Sequence, residues 1–411
     1  AVTFIQVDNL PRHPSQLYEA LLEGLFLFLL LIYFKNKFSN KPGGISGLYL
    51  ANLLEKSLDY DYKIFEKKSD LNLSAGYGIQ LSVNCVKLLN EIGFQNISKS
   101  EIFFPKKINF FDAKTTHKIC DIEISKFNDE KNRYTTIKRS TLIQFLLNNI
   151  SSQRIIKNVE LNDIQYGKKI KLYFSNNEID EFDYLVVSDG IFSKTKSIIL
   201  DQEIKPKFFN SMALRGNMTN INSNDISIYL GPNFHFVIYP LNQKNEFNFI
   251  SIIRKQFSKA QILQEKTFES KDLLESLTTE IYQKTSIDLK SKLENIKSFP
   301  IYISEKFIKY KKNNIYFVGD ALFALPPSFA QGASQSIEGS KEVYESIKNG
   351  TNNYYEKRLI KLKQVNIRSK LNHFSFHFSN PLIIFLRNIV LKYLSKNNKF
   401  LEKYLGKIYR N

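Results

Sequence analysis

Apolar residues are unevenly patterned along this chain. From Ala20 to Phe34 they are nearly continuous, and Leu17 and Tyr18 extend the stretch across Glu19. From Gly43 onward, short apolar runs alternate with polar, helix-spaced segments. Gly43–Glu55 reads as a glycine turn opening a helix, and Tyr62–Phe65 as a short strand ending at Glu66. Helical spacing recurs over Leu81–Ile92, which stops at Gly93, and over Thr141–Asn149. Tyr184–Ser188 and Asn314–Val318 are unbroken apolar runs of buried-strand length, each closed by an Asp-Gly or Gly-Asp pair. Between about 205 and 302, Phe234–Tyr239 and Phe247–Ile253 belong to alternating stretches that predict an antiparallel sheet. The tail from about 352 is helical, basic on one side and rich in Phe, Leu and Ile on the other. Strands interleaved with helices define an α/β class.

The apolar stretch 17–34 approaches the ~20 residues that cross a bilayer. Lys35, Lys37 and Lys41 follow it, so as a membrane helix it keeps the rest of the chain cytoplasmic, at the inner face of the membrane. A signal peptide and a buried core helix are the other two readings, and length alone leaves all three open. The 58 basic and 40 acidic side chains give a net charge of +18. No run of five or six like charges stands out, so a Lys-rich surface explains the charge and no nucleic-acid partner is expected. Weak attraction to anionic lipid stays open. Two cysteines, Cys85 and Cys120, stand outside any CxxC, so neither a disulfide framework nor a metal site is expected.

Three separated segments carry candidate chemistry. In Pro42–Gly47, Gly44 lets backbone approach a pyrophosphate and Gly47 permits close helix–strand packing. Glu66 follows 22 residues after Gly44, at a strand end suited to accepting ribose hydroxyls. Asp189-Gly190 closes the second buried strand. Gly319-Asp320 closes the third, with Pro326-Pro327 after it and Gly332-Ala333 opening the next helix. Asp320 is placed to hold a ribityl or ribose hydroxyl, and the helix start to face a phosphate or flavin ring. Against this pattern, Pro42 stands where the first glycine belongs, and Lys35–Lys41 is not an apolar strand.

From about Gly43 to its end the chain resembles the group A flavoprotein monooxygenases, the para-hydroxybenzoate hydroxylase-like family, and within it the salicylate and 3-hydroxybenzoate hydroxylase branch. That resemblance implies an FAD-binding, Rossmann-like domain of glutathione-reductase type, an antiparallel substrate sheet and a helical C-terminus. It assigns FAD contacts to Gly44, Gly47, Glu66, Arg139, Asp189, Gly190, Gly319, Asp320, Gly332 and Ala333, with Pro327 lining the flavin. Met212–Gly216, which contains Arg215, and Leu230–Pro240 resemble the branch's substrate strands. His235 and Tyr239 thereby become the contacts to a phenolic hydroxyl, although each also reads as an ordinary core residue. Phe323 stands where the family usually has histidine.

The implied reaction is hydroxylation of an activated aromatic ring by O2, with NAD(P)H as reductant and a flavin C4a-hydroperoxide as oxidant. The expected division is 42–200 with 303–350 for FAD, 201–302 for the substrate sheet, and 351–411 for C-terminal helices. Residues 1–41 form a separate N-terminal part. Within it Val7–Glu19 and the apolar helix resemble the C-terminal end of prolipoprotein diacylglyceryl transferases over about 1–37. The rest of such an enzyme has no counterpart, so a fusion remnant is expected and a complete transferase site is not. A ubiquinone-pathway hydroxylase held at the membrane, and an inactive fusion with impaired FAD binding, are the alternatives.

Overall fold

A computed structural model describes residues 44–410, apart from 58–59, 70–76, 220, 265–267, 269, 309 and 311–313. The apolar stretch 17–34 and the strand expected just before Gly44 lie outside the described residues. Among those described, no helix is long and apolar enough to cross a membrane.

The helix Ile45–Ser57 lies at the centre of the main core, with every residue from Ile45 to Leu54 buried. It packs against the helices Gly332–Asn349 and Arg139–Asn148. Burial on all sides suits its apolar sequence, and its one internal amide is satisfied: Asn52 Nδ2 donates to Leu48 O at 2.8 Å and Leu146 O at 2.9 Å. Beside it lie two parallel strand pairs, Ile64–Glu66 with Ile155–Lys157 and Leu185–Val187 with Ile315–Phe317. All residues of Ile64–Glu66, Leu185–Val187 and Ile315–Phe317 are buried, as expected for parallel strands covered on both faces. The Ile315–Phe317 strand finds its edge partners in tyrosine hydroxyls. Tyr355 donates to Ile315 O at 3.0 Å and accepts from Phe317 N at 3.1 Å, while Tyr354 donates to Phe317 O at 2.7 Å.

The second layer is a seven-stranded sheet in the order Leu293–Ile303, Lys207–Thr219, Glu246–Arg254, Phe234–Pro240, Ile226–Gly231, Lys107–Asp112 and Lys118–Glu123. It is antiparallel except where Ile226–Gly231 runs parallel to Lys107–Asp112. Strict alternation gives it two different faces. Met212, Leu214, Phe234, Phe236, Phe247 and Phe249 form one core with Leu277 and Ile281 of the helix Lys271–Lys284. Arg215, His235, Tyr239 and Asn248 fall on the opposite face. The helix expected over 81–92 starts two residues later, at Val83, because Leu81 is the last residue of the strand Gly78–Leu81. It ends at Asn90, three residues before the expected stop at Gly93, whose φ of +96° instead opens the turn Phe94–Asn96. The C-terminal part consists of the helices Tyr354–Phe376 and Pro381–Lys396 followed by short helical turns to Tyr409.

Candidate active site

The Gly-Asp segment sits on the start of the central helix. Gly319 has φ +58°, and a Cβ there would stand 2.9 Å from Ser46 Oγ and 3.1 Å from Ser336 Oγ. Ser340 Oγ donates to Ser46 O at 2.7 Å, fastening the same two helices. The helices Ile45–Ser57 and Gly332–Asn349 therefore begin side by side, with the Gly319 turn between them. Neither has an acidic residue in its first turn to compete for an anion. Space around Gly332 is open, since a Cβ there would meet nothing within 4 Å. The neighbouring Gln331 is buried, and among the described residues its Nε2 has no hydrogen-bond partner.

Glu66 is buried at the end of its strand, where it accepts a 2.8 Å bond from the Lys68 backbone N–H. Burial raises its carboxyl to about 8, against the opposing pull of that bond and of Lys68, Lys157 and Lys67. Between pH 4.5 and 8 the unfolded chain is ionised at this position and the folded chain holds the proton, so stability falls as pH rises. Glu66→Gln removes that slope: the variant apoprotein gains on the order of 3–5 kcal/mol over the parent at pH 8 and almost nothing at pH 4.5. Urea unfolding of both proteins at the two pH values checks this, and equal differences at both would refute it.

Asp189 and Gly190 lie beyond the second strand pair. Gly190 has φ +77°, and Asp189 accepts from Thr195 N–H at 3.3 Å. Burial raises the Asp189 carboxyl to about 7 despite Ser193, Thr195 and Lys196 nearby. Lys196 Nζ donates to Ala321 O at 2.8 Å, joining this segment to the turn that carries Asp320. Arg139 starts its helix with its N–H donating to Tyr77 O at 2.9 Å. Enclosure lowers the Arg139 guanidinium to about 10, helped by the Arg215 charge and opposed by Asp320. Arg215 stacks over the Tyr77 ring at 5.7 Å. Tyr239 is buried beside Arg215 and Gln80, and burial holds its hydroxyl far above the usual phenol range. Arg139, Arg215, Asp320 and Tyr239 are thus brought into one electrostatic neighbourhood.

His235 belongs to a different cluster. It shares a sheet face with Tyr239 but lies about 13 Å from it along the strand. His235 Nδ1 and His377 Nε2 are 2.7 Å apart, one ring donating and the other accepting. The His373 ring lies 4.3 Å from that of His377, and its two nitrogens reach Ser211 Oγ and Ser328 Oγ, each at 3.4 Å. Ser328 directly follows Pro327, so the C-terminal helix links His235 to the proline turn. His373 and His377 were missed by sequence reasoning, although their four-residue spacing marks one helical face. Phe323, in place of the family histidine, is buried with its ring stacked 3.9 Å from Phe307, which makes that part of the site apolar.

Burial lowers His235 to about 3 and His373 to about 4, and pulls His377 lower still, with neighbouring histidine and Arg254 charges adding to the effect. All three are neutral at pH 7. Unfolded histidines take up protons near 6.5 while these do not, so the stability they leave intact above pH 6.5 is lost as pH falls toward 4. Replacing His235 and His373 together by Asn flattens this acid limb, measured as the pH dependence of the urea midpoint. An unchanged limb would count against neutral burial.

This is the fold of the FAD-dependent aromatic monooxygenases. Klebsiella pneumoniae HpxO, solved with FAD and uric acid, superimposes with a TM-score of 0.76 at 14% identity, over 89% of this chain and 94% of that one. A salicylate hydroxylase–substrate complex gives a TM-score of 0.70 at 16% identity, over 90% and 93%. The N-terminal likeness is separate. Residues 1–53 match the prolipoprotein diacylglyceryl transferase family. The transferase of Idiomarina loihiensis is 58% identical over 50 residues, 12% of this chain and 18% of that protein. The chain thus spans less than a fifth of that relative, and the pairing of the two likenesses in one chain is consistent with a fusion. The match runs past the expected limit near 37, through Pro42–Leu53. Pro42–Leu53 therefore lies both in the transferase match and in the segment read as the dinucleotide turn and its helix.

Proposed function

We propose that the chain is an FAD-dependent monooxygenase that hydroxylates an activated, phenol-like aromatic ring, with NAD(P)H as reductant. The observation carrying this reading is the convergence of three distant segments on one place: the start of the Ile45–Ser57 helix, the Gly319–Asp320 turn and the start of the Gly332–Asn349 helix. The residues present fit the cofactor. Two helix starts without acidic side chains, the open space at Gly332 and the unpartnered Gln331 Nε2 suit phosphate and flavin oxygens. Gly44, Gly47 and Ala333 belong to those helix starts. Glu66 would accept the ribose hydroxyls, and Arg139, Asp189, Gly190 and Asp320 would complete the cradle. Bound FAD supplies oxygen transfer from O2, a chemistry no side chain provides.

The chain's own task is to bind and orient the ring and exclude water. The sheet face carrying Arg215, His235 and Tyr239 would meet the substrate, with Pro327 opposite. Tyr239, protonated at neutral pH, would donate a hydrogen bond to the substrate hydroxyl. Neutral His235, held by His377 and about 13 Å farther along the strand, would line another part of the same face and not share that hydroxyl. Residues 42–200 with 303–350 would hold the cofactor, 201–302 the substrate, and the C-terminal helices would fix the histidines.

The test is direct. The purified chain should show a bound-flavin spectrum, and phenols should stimulate its NAD(P)H oxidation with formation of a hydroxylated product. Tyr239→Phe should lower kcat/KM about tenfold through loss of one hydrogen bond. NAD(P)H oxidation without oxygenated product would point to a reductase on the same fold. A folded protein with no affinity for FAD would end the enzyme reading.

A further inference from the structure

The helix Pro381–Lys396 is turned inside out. Leu382, Phe385, Leu386, Ile389, Val390 and Tyr393 are exposed, at 67% for Leu382 and 68% for Tyr393, whereas Arg387 is 6% exposed. Arg387 faces inward, where Asp112 opposes the fall that burial imposes on its pKa. The inner side of the helix rests on the strand Lys118–Glu123, with Leu391 reaching the small core of Phe110, Ile119 and Phe376. The helix is well determined by its sequence: Pro381 occupies the first turn, and Asn380 Oδ1 accepts from the N–H groups of Leu382 and Ile383 at 3.0 and 3.3 Å. A second stripe, Ile360, Ile367, Leu371 and Phe374, is exposed on the preceding helix. It ends where Phe374 meets Phe378 at 4.9 Å, just before Pro381. Apolar surface this continuous marks a place where something docks.

The charge pattern says what. Residues 357–401 contain ten Lys and Arg and not one Asp or Glu, and of the ten only Arg358 and Arg387 are buried. The nearest acidic side chain on the supporting strand, Asp121, is paired with Lys118. Two copies meeting through this face would bring lysines against lysines. The chain's own stretch 17–34 offers only Glu19 and Glu23, at one end, against the eight unburied cations here, and it is followed by Lys35, Lys37 and Lys41. An apolar face rimmed by cations, with Asp121 and Glu123 confined to the supporting strand beneath it, matches an anionic lipid surface. We propose that Pro381–Lys396 lies in the interface of an anionic bilayer, its apolar face in the headgroup–acyl boundary and Lys392 and Lys396 at the phosphates. At 16 residues the helix is about 24 Å long and lies along the surface.

The chain contains no Trp, so Tyr393→Trp creates a sole indole reporter on this face. With vesicles of phosphatidylglycerol carrying brominated acyl chains, the full-length variant should show blue-shifted and quenched emission. Phosphatidylcholine vesicles should give neither. Adding Lys392→Ser and Lys396→Ser should weaken partitioning roughly fivefold per lysine. Leu382→Trp, at the other end of the helix, is the second reporter should Tyr393→Trp fold poorly. Emission unchanged by anionic vesicles would overturn the proposal, even if the protein were carried down by another segment. Equal response to neutral lipid would overturn it too. So would emission already blue-shifted without lipid, which would mean that a second copy or the N-terminal stretch covers the face.

Discussion

Gly319→Ala protein is expected to purify folded and colourless. The residue sits at φ +58°, where an L side chain costs about 1–2 kcal/mol, and its Cβ would stand 2.9 Å from Ser46 Oγ and 3.1 Å from Ser336 Oγ. Those contacts are the junction of the two helix starts, so relief must come from moving one start away from the other. A displacement of a few tenths of an ångström hardly disturbs a core as extensive as the one around Leu48, Val186 and Ile337. It does spoil a site whose affinity depends on backbone N–H groups aimed at one point. FAD affinity should fall at least about tenfold, which corresponds to 1.4 kcal/mol, while the far-UV spectrum stays unchanged. The double variant Ser46→Ala/Gly319→Ala separates the two causes. It removes the nearest atom but leaves the backbone strain, so it should regain part of the binding. A single variant that titrates with FAD like the parent would show that the Gly319 turn does not shape the cofactor site.

What the sequence reveals of this site is local. Asp189-Gly190 and Gly319-Asp320 are legible because a glycine at positive φ beside an acid, at the end of an apolar run, is a chemical requirement of one short segment. Gly44, Gly47 and Glu66 are instead read from spacing alone, with Pro42 breaking the pattern, and their place in the cradle is part of the proposal. The alternation in Phe234–Pro240 and Glu246–Arg254 likewise reports a sheet with two unlike faces. The strands Lys107–Asp112 and Lys118–Glu123 are different. They join that sheet through a parallel pairing to Ile226–Gly231, more than a hundred residues away, and periodicity does not encode a partner. His373 and His377 reach His235 only because the tail folds back over the sheet. The same tail defeats the usual reading of apolar residues: Leu386 and Val390 look like core and are exposed, while Arg387 looks like surface and is buried. The expected membrane helix, 17–34, lies outside the described residues.

The stability of that folded-back tail should depend heavily on one side chain, with Arg358→Ala costing about 3–5 kcal/mol. Arg358 is 1% exposed and bridges the tail helix to the helix Gly332–Asn349. It donates to Glu338 Oε2 and Glu342 Oε1, each at 3.1 Å, and to Gln335. Glu338 also accepts from Lys361 Nζ at 2.8 Å and from Asn84. Removing the guanidinium leaves two carboxylates with only Lys361 as a cation, in a place where burial already raises Glu342. A carboxyl whose folded pKa is raised loses stability as pH climbs through it. The deficit of Arg358→Ala should therefore be larger at pH 8 than at pH 5, as read from urea midpoints. Arg358→Met combined with Glu338→Gln and Glu342→Gln removes the orphaned charges and keeps the packing, so it should recover much of the loss. Because Gly332–Asn349 also opens at the proposed cofactor site, the alanine variant should bind FAD more weakly although Arg358 is not assigned to the cradle. A loss below 1 kcal/mol at both pH values would mean that water reaches these carboxylates and that the tail is held by its apolar contacts instead.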